Sequence, residues 1–358
     1  MYSRKIQILL SIFVLIRNAS VTSALPNNLA WNGGPIHLEC EHTTNILTNS
    51  DQHVKENVVA IKAATYKDEI YIITPRLRCG LLATVWRIVR GRRGVELQPY
   101  PETDAHVLAD CEGIQNAIDF HLDYLGNLWV LDSGIVETLE SPRCTCEPKV
   151  LVINILLGKV TKRIDLSSVT EPTSTLQTLA VEYTLRGKTF VYISEASRGS
   201  VLVHDVSKQA GWSVTASAAA PGLQLTLARR TAQTVLILVR VPRSGLLELD
   251  TATLRRKSNP NPLIVFGEHT KPVMLLGSES NHVFLRHMDC ADALSWDVRD
   301  GYNASMLKLV HSPGPQLVTS SVSADPMKRY LIILDTNYAE TVNENTPTYH
   351  RITYVGKW

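Results

Sequence analysis

The run Leu128-Trp129-Val130-Leu131-Asp132-Ser133-Gly134 sets a carboxylate beside a hydroxyl at the end of an apolar stretch. As nucleophilic chemistry the pair is incomplete. Ser133 has no Gly-x-Ser-x-Gly elbow between a strand and a helix, and the 11 histidines are scattered without His-Glu-x-x-His spacing, so neither a base for Ser133 nor a zinc site is indicated. As proton-transfer chemistry, Asp132 would need a second group, for which Glu195 and His121 qualify by type. As ammonium recognition, a carboxylate near Trp129 or Tyr338 would gain an aromatic cover for the cation. The structural alternative is simpler: Asp132 and Ser133 accept backbone N–H groups at a strand exit while Gly134 takes a conformation that other residues resist. Cys144-x-Cys146 lacks the second ligand pair of a zinc site, and no Gly-rich phosphate loop opens a helix. No metal and no cofactor are expected.

The elements that would position Asp132 repeat along the chain. A β-rich run, a polar turn and a second apolar run recur six times: from Val58 to Arg76, around Gly126-Asn127, around Arg186-Gly187-Lys188, near Thr231–Gln233, through PVMLLGSESNHVFLRHMD, and through LVTSSVSADPMKRYLIILDTN. Each copy is followed by a further hairpin-like pair, clearest in KVLVINILLGKVTKRIDL. Four strands at a period of about 45 to 60 residues predict propeller blades. The fold class is therefore all-β, a six-bladed β-propeller with four-stranded blades. A parallel α/β fold would need amphipathic helices between the strands, and no 3.6-residue periodicity of that length is present.

Blade geometry explains the composition of the runs. Middle strands covered on both faces read as continuous apolar segments such as LIIL, whereas the outer strand VTKRIDL sets Val160, Ile164 and Leu166 against Lys162, Arg163 and Asp165. The apolar tail YHRITYVGKW is suited to close the ring, since an open ring would leave sheet edges unpaired. If the second strands of several blades end at one mouth of the central channel, then Asp132, Ser133, Glu195, Asp335, Thr336 and Asn337 gather there and form a candidate ligand site.

Arg4 and Lys5 ahead of an apolar run from Ile6 to Ile16, with Val21, Ser23 and Ala24 after it, predict a secretory signal over residues 1–23, followed by one propeller domain over 24–358. That run is too short to span a membrane, which takes roughly 20 apolar residues. A secreted, extracellular chain with six cysteines is expected to form disulfides, but six allow 15 connectivities and the pairing stays open. Asn303-Ala304-Ser305 is a glycosylation sequon. The 36 basic and 34 acidic residues are interspersed, against a nucleic-acid footprint, and the cluster Arg87, Arg90, Arg92 and Arg93 reads as a solvated hairpin tip.

NLWVLDSGIVETLESP followed by CEPKVLVINILLGKVTKRIDL resembles the signature of the insect yellow and major royal jelly protein family. The likeness continues through LAVEYTLRGKTFVYISEASRGSVLVHDV and FLRHMDCADALSWDVRDG to YLIILDTNYAETVNENTPTYHRI. ETLESP, GKVTKRIDLSS and WNGGPIHLECEHTTNI look most like the yellow-g branch. The resemblance implies a secreted six-bladed propeller acting in eggshell (vitelline membrane or chorion) or cuticle formation, with shell or cuticle matrix proteins as partners. Its alternatives are a dopachrome-converting isomerase or decarboxylase of melanin chemistry, and a binder of small amines or catechol derivatives. It also matches Cys111 and Cys146 to family cysteines, with Cys40 and Cys290 as further disulfide candidates, and places Asn337 near a strand-end Asn of amine-binding members. Leu125 stands where many members carry a cysteine, while Cys79 and Cys144 are additional.

Overall fold

The computed structural model describes residues 27–91, 94–242, 245–258, 263–266, 271–327, 329–339 and 347–356. The expected signal segment and the pair Arg92-Arg93 lie outside the described residues. The strands form six four-stranded antiparallel sheets, the six blades expected from the repeat. Blade two shows the pattern: Ala117–Leu122 lies innermost, then Asn127–Asp132, Lys149–Asn154 and Lys159–Asp165. A short extra hairpin, Ile135–Val136 with Arg143–Cys144, rides on the loop between its second and third strands.

Burial follows the sequence logic. The second strands Asn127–Asp132 and Tyr330–Thr336 are buried almost throughout, because neighbouring blades cover both faces. On the outer strand of blade two Ile164 is buried while Lys162, Arg163 and Asp165 are exposed. The apolar side chains collect into six cores, each drawn mainly from two neighbouring blades. Ile72 and Trp86 of blade one meet Leu334 and Ile352 of blade six, for example. Each fully buried Leu or Ile contributes about 1.5–3 kcal/mol, so stability is spread around the ring.

Blade six closes that ring with strands from both ends of the described chain. Its inner strands Val318–Ala324 and Tyr330–Thr336 are followed by Tyr349–Gly356, on which Leu29–Asn32 pairs as the outermost strand. Trp31 sits opposite His350 and stacks on its ring at 4.9 Å. His350 Nε2 in turn accepts the amide of Ala60 (2.9 Å), linking blade six to the entry of blade one. Replacing Trp31 with alanine empties a buried site and is expected to lower stability by about 3–5 kcal/mol, read from urea unfolding.

The innermost strands stand side by side around the axis, and side chains bridge them. Leu179 N donates to Asp119 Oδ2 (2.7 Å), Leu223 N to Gln177 Oε1 (2.9 Å), Leu275 N to Gln224 Oε1 (2.9 Å) and Ala63 N to Ser321 Oγ (3.1 Å). Bulges in these strands, as between Ala117 and Asp119 or Thr319 and Ser321, re-aim the bridging side chains toward the next blade.

Candidate functional site

The six inner strands enclose a cavity of about 580 Å³ along the axis. Its wall combines apolar side chains such as Ile118, Phe120 and Leu227 with hydroxyl and amide groups from Thr178, Gln177, Thr226, Ser278 and Ser320. Several of the hydroxyls already bond each other, Thr226 to Ser278 at 2.6 Å and Thr178 to Ser194 at 2.8 Å. Two charged groups face each other across the junction of blades one and two. Lys62 Nζ lies 2.6 Å from Asp119 Oδ1 and 5.6 Å from the centre of the Phe120 ring. On the other side of the lumen Arg286 is buried and donates to Thr319 O (3.2 Å) and Tyr338 Oη (3.5 Å).

His121 lines this lumen and is half-buried. Desolvation first, and the nearby Lys62 ammonium second, pull its pKa down to about 4, against an opposing pull from Asp123. It is therefore neutral at physiological pH, available to donate or accept one hydrogen bond but a weak general base. Asp119 is committed on both oxygens, to Lys62 and Phe120 N on one and to Leu179 N on the other. The lumen fits a small, partly apolar molecule with hydrogen-bonding groups. Replacing His121 with leucine is expected to leave folding intact while weakening any lumen ligand that bonds to the imidazole, as read by calorimetric titration.

The strand-end residues occupy a different place. None of Asp132, Ser133, Glu195, Asp335, Thr336 and Asn337 lines the cavity. The reason is geometric: they end second strands, each one strand spacing outside the inner strands, and their side chains turn into their own loops. Asp132 is fully buried and accepts the amides of Gln115 and Asn116 (both 2.8 Å) and of Gly134 (3.0 Å). Lys149 Nζ lies 3.1 Å from it, an ion pair without the alignment of a hydrogen bond. Gly134 has φ +68°, and a Cβ there would stand 1.9 Å from Cys146 O, so only glycine fits this exit. Ser133 Oγ bonds the backbone of Ile135.

Glu195 repeats the arrangement in blade three. It accepts Thr175 N, Ser197 N and Oγ, and Arg198 N and Nε. Burial opposes its ionisation, yet the bonds from Ser197, Arg198 and Thr175 outweigh that penalty and hold the carboxyl below its usual range. In blade six Asp335 is held by His311 Nε2 (2.8 Å), Thr319 Oγ1 (3.0 Å) and Arg351 Nη2 (2.8 Å). Thr336 Oγ1 pairs with Ser320 Oγ (2.7 Å), and Asn337 Oδ1 accepts Tyr349 N (2.7 Å). Trp129 packs in the core between blades two and three and donates to Asp123. Of the residues singled out in the sequence, His121 and Tyr338 reach the lumen. Lys62, Asp119 and Arg286 were not anticipated, although Lys62 and Asp119 lie on short strands between apolar residues, where a charge is the unusual choice.

Cys111 and Cys146 form a disulfide, tying the loop before blade two to the exit beside Gly134. Cys40 and Cys290, expected as further partners, carry free thiols: Cys40 precedes the helix Glu41–Asn49, Cys290 leaves the second strand of blade five, and neither is bonded to another cysteine. Cys79 and Cys144 are free as well. Among the described residues, no group of three or more His, Cys, Asp or Glu is arranged to hold a metal ion. No helix there is long and apolar enough to cross a membrane.

Residues 115–233 match the family model described as Major royal jelly protein. Major royal jelly protein 7 of Apis mellifera is 32% identical over 122 residues, which cover 33% of this chain and 27% of that protein. Protein yellow of Drosophila simulans is 25% identical over 187 residues, covering 51% of this chain and 35% of that protein. The chain thus spans about a third or less of the length of these relatives. Among solved structures, luciferin-regenerating enzyme superposes with a TM-score of 0.50 at 12% identity, covering 85% of this chain and 96% of that one, a likeness of fold alone.

Proposed function

We propose that the chain is a member of the yellow and major royal jelly protein family, as the match of residues 115–233 and the likeness to these relatives support, and that it is secreted and acts outside the cell in forming an eggshell or cuticle layer, as a binding and structural propeller rather than a catalyst. The observation that carries this reading is the fate of the strand-end carboxylates. Asp132, Glu195 and Asp335 are each fully buried and occupied, Asp132 and Glu195 by backbone amides and a cation and Asp335 by Arg351, His311 and Thr319, so they hold blade exits together. A proton-transfer reaction such as dopachrome conversion needs a base near neutrality, and neither the acidic His121 imidazolium nor the doubly bonded Asp119 offers one. Asn303, exposed at a turn of blade five, is placed to carry a glycan on a secreted chain. Antibody labelling of shell and cuticle sections tests the assignment. The protein should concentrate in the extracellular layer, and its depletion should weaken that layer; retention inside cells, or depletion without any defect, contradicts it.

A second reading, binding of a small amine or catechol derivative, is favoured by the lumen itself. Its size, apolar wall and hydroxyl belt suit one such molecule. This reading is compatible with the first.

A further inference from the structure

The propeller has two faces. One carries the disulfide and the strand-end carboxylates. The other carries the tight turns joining first to second and third to fourth strands, and on blades two and three those turns are apolar at their tips. Tyr124 and Leu125 are 64% and 50% exposed, Leu156 and Leu157 are 62% and 66%, and Leu185 is 98%. These tips are neighbours. Ile155 N donates to Gly126 O across the two turns of blade two, and Tyr124 meets Tyr183, two residues from Leu185, ring edge to face at 5.6 Å. Single exposed leucines need no explanation, but a linked group of them marks a contact surface.

Cations surround the tips. Two turns share the sequence Leu-x-Gly-Lys, as Leu156-Leu157-Gly158-Lys159 and Leu185-Arg186-Gly187-Lys188. Lys67 and Lys208 stand on the corresponding turns of blades one and three. The carboxylates nearby are already used: Asp123 and Asp205 are buried under amide donors, Glu182 pairs with Arg255, and Asp68 pairs with Arg329. Lys159, Arg186, Lys188 and Lys208 are exposed and have no ion-pair partner among the described residues. The result is a group of apolar tips inside a rim of unbalanced positive charge.

We propose that this turn face docks on an anionic phospholipid surface, with the leucines of blades two and three entering the interface and the cations meeting the headgroups. Shape favours a fluid layer over a folded protein. The tips project from separate turns, and a Cβ built on Gly158 or Gly187 meets nothing within 4 Å, so the turns are open around those glycines. A bilayer interface accepts separate apolar tips, and insertion by about one side chain leaves the turn backbone at headgroup level, where it stays solvated. Lysine and arginine next to each tip match the charge of acidic lipids. The glycosylation sequon at Asn303 lies on the same face but on blade five, across the ring from blade two, clear of the docking edge.

The test is co-sedimentation of the full purified chain with vesicles of phosphatidylcholine alone or with about 30% phosphatidylserine. Binding is expected only with the acidic lipid and is expected to weaken as salt rises, since surface charge attraction is screened. Leu157→Ser with Leu185→Ser should reduce binding at least tenfold with an unchanged melting temperature, and Lys159→Glu with Lys188→Glu should do the same. A Leu185→Trp variant should shift its emission to the blue on binding. Failure to bind acidic vesicles overturns the proposal, as does binding that survives both double variants. A dimer or acidic-protein complex that forms without vesicles and disappears in the leucine variants assigns the face to protein and overturns it equally. The outcome is independent of the eggshell or cuticle reading, which depends on where the protein resides.

Discussion

Replacing Asp132 with alanine is expected to lower stability on the order of 3–5 kcal/mol and to abolish accumulation of folded protein. Removing the carboxylate leaves Lys149 as an uncompensated buried charge and strips acceptors from the amides of Gln115, Asn116 and Gly134. Arg76, also buried, loses its counter-charge: burial already draws its pKa down to about 10, with Asp132 opposing that shift. Asn at position 132 keeps one acceptor oxygen but not the charge, so its cost should be smaller and still large. Unfolding in urea, with the amount of secreted protein as a second readout, checks both variants. A catalytic Asp132 would behave otherwise, since its removal would leave stability almost unchanged.

Acid should destabilise the protein before its carboxylates titrate. His106 and His350 are fully buried, and desolvation is the main cause that holds each pKa near 3; for His106 the Arg76 charge adds to it. A base whose folded pKa is lowered contributes stability that is fully present above its unfolded value of about 6.5 and is lost as pH falls toward the folded value. Each pH unit in that window removes about 1.4 kcal/mol per histidine, on the order of 2–3 kcal/mol each by pH 4.5. Protonation also removes specific bonds. His350 Nε2 accepts Ala60 N at the joint between blades six and one, and His106 Nδ1 accepts Thr84 N in blade one. Melting temperature should therefore fall steadily from pH 6.5 to 4.5. His350→Gln, which keeps an acceptor for Ala60 without titrating, should flatten that slope while lowering the neutral-pH melting temperature through loss of the Trp31 stack. A profile that stays flat to pH 4.5 contradicts this assignment.

The blades were legible because each second strand is covered on both faces and so must be apolar. Ile70–Ile73, Trp129–Leu131 and Leu331–Leu334 announce themselves for that reason. The turn positions were legible too, from Lys67-Asp68 and Arg186-Gly187, where the chain needs left-handed backbone. The role of Gly134 followed from the same reasoning. The lumen was not legible. Its wall comes from inner strands some 50 residues apart in sequence, and a bulge in four of the six shifts which side chains turn inward and which bridge to the next blade. Asp119 and Ser321 both line the lumen and bridge to the next blade, whereas His121 on the same strand as Asp119 only lines it, and nothing local in the sequence distinguishes them. Asp132 drew attention because a carboxylate ending an apolar strand looks exposed and reactive, whereas burial with Lys149 and three amides makes it part of the frame. Ring closure depended on pairing Leu29–Asn32 with Tyr349–Gly356, a contact that only the complete ring defines.

The most direct test of the division between frame and lumen is a calorimetric titration of a catecholamine such as dopamine into the wild-type chain, Asp132→Asn and His121→Leu, each with its melting temperature recorded. Asp132→Asn is expected to melt far lower yet bind normally in whatever fraction stays folded, and His121→Leu to keep its melting temperature and change its affinity. Loss of binding in a fully stable Asp132→Asn, with His121→Leu unaffected, would place the site at the strand ends and contradict the account.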